Sequence, residues 1–228
     1  MTNTKKCNNF KKIKEGKKML EEIIKQCLKK GKLTHIVGPP KSGKNTLLYH
    51  LASKVQKGEK AIIIDAEISV SVQRLIEITK FKEMELERII IIHTKNSYEQ
   101  HKIVLNLHNL IGSRKIKFIA INGITNHFRN NGTKIGKANK YNILALQVAY
   151  LKEFAKKMKI AVIVTNQMKG ERDKFGASMG IVGKKIFEKY VDTTFEINQV
   201  NEKLWSINSD KNFRSLYLIT EEGIKVLD

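Results

Sequence analysis

Five short apolar runs set the limits on how this chain can fold: "LTHIV" at 33–37, "AIIIDA" at 61–66, "RIIII" at 88–92, "KFIAI" at 117–121 and "IAVIVT" at 160–165. Unbroken Ile and Val of this length lacks the alternation of a half-buried strand, so each run reads as a strand covered on both faces. The intervening stretches carry helical patterns. The most regular is "KYNILALQVAYLKEFAKKMK", in which Leu144, Val148, Leu151, Ala155 and Met158 recur at spacings of four and three along one face, the pattern of core packing. Strands alternating with helices predict an α/β fold with a mostly parallel central sheet flanked by helices. Gly58 and Gly112 punctuate the ends of helices before the second and fourth strands. Beyond residue 190 the texture changes. "DTTFEINQV", "KLWSIN" and "SLYLIT" alternate apolar with polar residues between short polar turns, which predicts antiparallel C-terminal strands.

A chain of 228 residues is large enough for one substantial core. The expected division is a basic N-terminal arm with a helix over 1–32 and a core domain over 33–228. The arm carries eleven Lys against three Glu, and "KKMLEEIIKQCLKK" within it reads as an amphipathic helix. Cys7 and Cys27 are the only cysteines, with no CxxC or Cys/His cluster, which argues against a disulfide framework or a zinc site. No run approaches the length of a membrane span and no signal-peptide core is present, so the expected location is cytoplasmic, with no membrane partner. The formal charge of +21 suits a polyanionic partner. Only six of the 43 basic residues are Arg, however, and a Lys-, Ile- and Asn-rich chain can also reflect genome composition.

Between the first strand and the next helix stands "GPPKSGKNTLL", and the only prolines of the chain, Pro39 and Pro40, lie inside it. The spacing GxxxxGK, after a strand and opening a helix, is that of a phosphate-binding loop. Its backbone N–H groups and the helix N-terminus cradle phosphates while the lysine reaches the terminal ones. The expected nucleotide-binding residues are Gly38, Pro39, Pro40, Lys41, Ser42, Gly43, Lys44, Asn45 and Thr46, and the expected cofactor is ATP. One letter departs from the pattern. Where the motif supplies Ser or Thr for magnesium, Asn45 offers a neutral amide, and Thr46 projects about 100° away around the helix. The acidic partner position, at the end of "KFIAIN", is Asn122. Asn45 and Asn122 are therefore the candidate metal positions and both are degenerate, which predicts weak Mg2+ binding and weak or lost hydrolysis. "IIIDAE" brings Asp65 and Glu67 to the end of the second strand, where a carboxylate can orient a water, although residue type alone leaves Glu67 equally open to another role. "VIVTNQ" ends the fifth strand with Thr165, Asn166 and Gln167, polar groups placed to sense a terminal phosphate. Glu67 and Gln167 are the candidate catalytic residues.

In this order and spacing, "KGKLTHIVGPPKSGKNT", "KAIIIDAE", "NGITNHFR" and "LKEFAKKMKIAVIVTNQM" resemble the RecA/RadA recombinase family over nearly the whole chain. "GIVGKKIFEKYVDTTFEI" followed by "SLYLITEEGIKV" is similar to the ending of its short archaeal branch, RadB. The resemblance implies a RecA-like P-loop NTPase core without the N-terminal DNA-binding domain of full recombinases. It also implies an accessory role in DNA repair and homologous recombination: binding DNA, hydrolysing ATP poorly, performing no strand exchange, and associating with the main recombinase and a junction-cleaving nuclease. Members usually keep Thr or Ser at the position of Asn45 and Asp at that of Asn122. The Lys-His-Arg cluster they often carry near the final strands has no counterpart in "WSINSDKNFRS".

Two loops carry DNA contacts in such proteins, and here they correspond to 129–140 and 169–183. The first offers Arg129, Lys134, Lys137 and Lys140 with no acid, spaced by Gly132 and Gly136; the second offers Lys169, Arg172 and Lys174 against Glu171 and Asp173, with Phe175 as a candidate stacking residue. This composition predicts backbone-driven binding without sequence readout. Two alternatives stand beside the accessory-factor reading: an active DNA-dependent ATPase, and a protein-interaction scaffold that binds no DNA.

Overall fold

The computed structural model describes residues 18–129, 137–169, 180–210 and 213–227. All five apolar runs are strands: β1 (Leu33–Gly38), β2 (Lys60–Asp65), β3 (Ile89–His93), β4 (Ile116–Asn122) and β5 (Ala161–Lys169). A two-residue β6 (Gly180–Ile181) pairs antiparallel with the end of β5. The C-terminal region supplies β7 (Thr193–Gln199), β8 (Leu204–Ser209), β9 (Arg214–Thr220) and β10 (Gly223–Leu227). Among the described residues these join in the order β10-β9-β8-β7-β1-β5-β4-β2-β3.

The pairing refines the expected C-terminal strands in two ways. β7 is antiparallel to β8 but parallel to β1, so it is the seam between the two halves of one sheet. A fourth strand, β10, closes the edge by pairing with β9; its "GIKVL" is too short for its alternation to stand out in the sequence.

Helices cover both faces of the parallel half, which is why its strands need no polar alternation. On one face Ala61, Ile63, Phe118, Ala120 and Ile163 meet α2 (Lys44–Ala52), α3 (Val72–Thr79) and α1, helical over residues 18–27. Ile23, Ile24 and Cys27 of α1 are buried in that cluster, so this part of the basic N-terminal segment is packed into the body of the protein. Burial pushes the Cys27 thiol up to about 12, and it behaves as a small apolar side chain.

On the other face Ile62, Ile64, Ile119, Ile121, Val162 and Val164 meet α4 (Ser97–Leu105), α5 (Leu107–Ile111), α7 (Lys137–Met158) and α8 (Lys184–Tyr190). Leu144, Val148, Leu151 and Ala155 of α7 are fully buried and Met158 packs at the margin, as the spacing of four and three requires. No helix among the described residues is long and apolar enough to cross a membrane.

The helix that opens at Lys44 stops at Ala52, short of the Gly58 that punctuates the sequence. Ser53 Oγ donates to His50 O at 2.7 Å, and the chain turns to bury Val55, which is 2 % exposed. A local hydrogen bond and an apolar anchor thus end the helix before Gly58 is reached.

Candidate nucleotide site

Every parallel strand delivers its C-terminal end to one edge of the sheet, the edge at which open α/β sheets place ligands. There β1 runs into the loop. Lys41 (φ 61) and Gly43 (φ 82) take left-handed conformations, turning the chain so that α2 opens at Lys44. Behind the loop, Tyr217 of β9 donates its hydroxyl to Ser42 O at 2.5 Å, a buried brace from the C-terminal strands. Lys44 is only 6 % exposed and donates to Pro39 O at 2.7 Å and Gly38 O at 3.0 Å. Burial pulls its amine down to about 8; Glu67 opposes that shift and Arg129 adds to it. One acid and one further cation thus lie near enough to influence the Lys44 amine. A cleft of about 590 Å3 adjoins the loop tip, walled by Pro40, Lys41, Gln199, Trp205, Leu218 and Thr220.

Opposite the loop the side chains close on one another. Asp65, fully buried at the end of β2, accepts from the backbone N–H of Glu67 (3.2 Å), Ser69 (2.9 Å) and Val70 (2.9 Å). Gathering three donors bends the chain sharply enough to put Ile68 at φ 51, a left-handed conformation that β-branched residues rarely adopt. The same turn presents Ser69 to both asparagines. Asn45 Nδ2 donates to Ser69 O (3.1 Å) and Ser69 Oγ (3.0 Å), and Asn122 Nδ2 donates to Ser69 Oγ (3.1 Å) and Asp65 Oδ1 (2.9 Å). Asn122 Oδ1 accepts from Thr165 Oγ1 at 2.8 Å, and that hydroxyl accepts from Gly123 N at 2.8 Å. The two candidate metal positions, 77 residues apart in sequence (122 minus 45), are thus joined through one serine. Both turn amide nitrogen into the junction. A magnesium ion demands compact oxygen ligands, and this set does not fit one.

A third group lies between cradle and clasp. Gly123 (φ 72) follows β4, and a Cβ there would come within 2.2 Å of Glu67 Cγ, so only glycine lets the Glu67 side chain lie across the end of β4. Arg129, the last residue of α6 (Asn126–Arg129), is half-buried. It donates to Gln167 Oε1 at 2.5 Å, to Gln167 O, and to Asn166 Oδ1 at 3.4 Å. The expected sensor Gln167 and the expected DNA cation Arg129 are therefore partners in one cluster at the loop edge.

The other expected DNA residues are placed as follows. Lys137 and Lys140 sit in the first turn of α7 and Lys169 is the last residue of β5, so both segments leave the sheet at the loop edge. Lys134, Arg172, Lys174 and Phe175 lie outside the described residues. Three residues of the site carried no motif signal: Ser69, Tyr217 and the turn-forming role of Asp65. Only the i, i+2, i+4 spacing of Asp65, Glu67 and Ser69 after a strand hinted at such a turn.

A model of the Rad51 family matches residues 6–191. The DNA repair and recombination protein RadB of Methanocaldococcus jannaschii is 31% identical over 221 residues, covering 92% of this chain and all of that one. RadB of Thermococcus sibiricus is 31% identical over 67% of this chain and 66% of its own. The RadA protein of Aeropyrum pernix is 26% identical over 73% of this chain and 56% of its own. A family model spanning most of the sequence, a relative matched along its whole length, and a mostly parallel sheet with antiparallel C-terminal strands place this chain in the Rad51 family, as a RadB-like member of the RecA/RadA group.

Proposed function

We propose that this protein is an accessory factor in DNA repair and recombination that holds a nucleotide in the Gly38–Lys44 loop, turns ATP over weakly or not at all, and binds DNA through its phosphate backbone. The observation that carries the nucleotide reading is the buried Lys44 amine, held at the mouth of the loop by Gly38 O and Pro39 O. Phosphate oxygens are charged acceptors and displace neutral carbonyls from an ammonium. The adjoining cleft, with Trp205 and Leu218 on its walls, suits the flat apolar faces of a base. Weak turnover follows from the clasp, because phosphoryl transfer draws much of its charge stabilisation from a metal that Asn45 and Asn122 are poorly suited to hold.

A second reading has its own support: Glu67 lies across the end of β4 and Gln167 stands at the same edge, a carboxylate and an amide of the kind that could activate water in a true ATPase. Hydrolysis measured with and without single-stranded DNA separates the two. The accessory reading expects turnover at background in both conditions, and DNA-stimulated turnover abolished by Lys44→Ala establishes the ATPase instead.

For DNA, Lys137, Lys140 and Lys169, in segments that leave the sheet at the loop edge, support backbone binding. Affinity should fall linearly with salt on logarithmic axes, and replacing Lys134, Lys137 and Lys140 by Ala should flatten the single-strand slope by about 2. The protein partners that fit this role are the main recombinase and a junction-cleaving nuclease, tested by co-purification of the mixed components.

A further inference from the structure

The clasp narrows the ligand class. Asn122 cannot reverse its amide: Asp65 Oδ1, an acceptor, lies 2.9 Å from Nδ2, and reversal would set carbonyl oxygen against carboxylate oxygen with no proton between them. The other end agrees, since Thr165 Oγ1 receives Gly123 N–H and so has its own proton to give to Asn122 Oδ1. Asn45 is held the same way, because Ser69 O accepts from its Nδ2 at 3.1 Å and would face an oxygen after reversal.

The Asp65 carboxylate already takes four donors: three backbone N–H groups and the Asn122 amide. An entering dication would have to break this set to find oxygen ligands. An entering anion meets the buried Lys44 ammonium and the Arg129 guanidinium at the same edge; of the two carboxylates there, Asp65 is taken up by its four donors and Glu67 is the one left to oppose it. The electrostatics of the edge favour negative oxygen and offer a cation little.

We infer that the Asn45–Ser69–Asn122 chain stands where such loops hold a divalent cation, and that the loop takes the metal-free polyphosphate of a nucleoside di- or triphosphate. Lys44 and Arg129 supply the neutralisation a cation would otherwise bring. The inference rests on the nucleotide reading above and specifies its ligand.

Calorimetry of ADP and ATP on the full chain, in excess chelator and in excess magnesium, tests it. The dissociation constants should agree within about threefold, or be tighter in chelator because magnesium sequesters the ligand. Tightening of about tenfold or more on adding magnesium overturns the inference and leaves nucleotide binding intact. Absence of heat in both arms, with no displacement of a fluorescent nucleotide analogue, removes the nucleotide reading and the inference with it. The double substitution Asn45→Thr with Asn122→Asp should create a magnesium dependence of about tenfold, with Asn45→Thr alone as the milder variant; no gained dependence in either overturns the role given to the two amides.

Discussion

The two flanks of the loop edge of the sheet are built on opposite terms. On the loop flank, backbone geometry does the work: left-handed Lys41 and Gly43 turn the chain, Tyr217 braces Ser42 from behind, and one buried lysine faces in. On the opposite flank side chains do the work, and they satisfy one another: Asp65, Ser69, Asn45, Asn122 and Thr165 form a continuous chain. The difference teaches that a phosphate cradle and a metal seat are separable devices. The cradle depends on N–H groups fixed by the fold, so it survives substitution of neighbouring side chains. A metal seat would depend on hard oxygen ligands from two separate elements, and here the helix position Asn45 and the strand position Asn122 form a structural link instead.

The contrast predicts where each flank should fail. Lys44→Ala should be the most damaging to the loop flank, costing nucleotide affinity by about a thousandfold, or about 4 kcal/mol, with little change in the urea midpoint. Calorimetry paired with urea unfolding checks both halves of that statement. On the opposite flank the effect should fall on stability instead. Asn122→Asp sets a second carboxylate beside Asp65 and should cost about 3 kcal/mol at neutral pH. The repulsion vanishes when the new carboxyl is protonated, so the deficit should shrink as pH falls to about 5. A deficit that does not change with pH would mean the loss is steric. Gly123→Ala should cost about 2 kcal/mol, from a strained φ and the collision with Glu67, read by the same urea midpoint.

The smallest effect belongs to His35, buried in β1 behind the loop and stacked on Phe187 at 4.2 Å. Neither ring nitrogen has a hydrogen-bond partner among the described residues. Burial lowers its pKa from 6.5 to about 3, and burial also lowers that of His50, which accepts Ile224 N–H at 2.9 Å, to about 4. Both groups bind their proton more readily in the unfolded chain, so stability should be full above about pH 6.5 and fall as pH drops through the window towards those values. His35→Phe should be within about 1 kcal/mol of the parent at neutral pH and should lessen the acid loss. Melting temperatures across pH test it, and an unchanged acid slope counts against His35 as a source.

The sequence was informative wherever a physical requirement is local. Five apolar runs without polar alternation point to strands with both faces covered, and all five are strands of one sheet, four with buried centres and the edge strand β3 half-buried. The spacing of Leu144, Val148, Leu151 and Ala155 likewise left one face of a helix to bury. The loop at Gly38–Lys44 was legible because its turn, its lysine and the following helix are contiguous. Elements decided by non-local pairing were not legible: β7 joins β1 in parallel and β8 in antiparallel fashion, and β10 closes the edge.

The same division runs through the site. Residue identity alone marked Asn45 and Asn122 as departures from a metal-holding pattern. It could not say what the two amides do instead, because that depends on Ser69, brought between them by a turn that the Asp65 carboxylate organises. Nor could it say that Arg129 grips Gln167. Contiguous residues carry their geometry with them, since backbone sterics and periodicity act over a few positions. Which hydrogen-bond donor meets which acceptor across separate strands is settled only when the sheet order and register bring their side chains within about 3 Å, and that was decided by the tertiary structure.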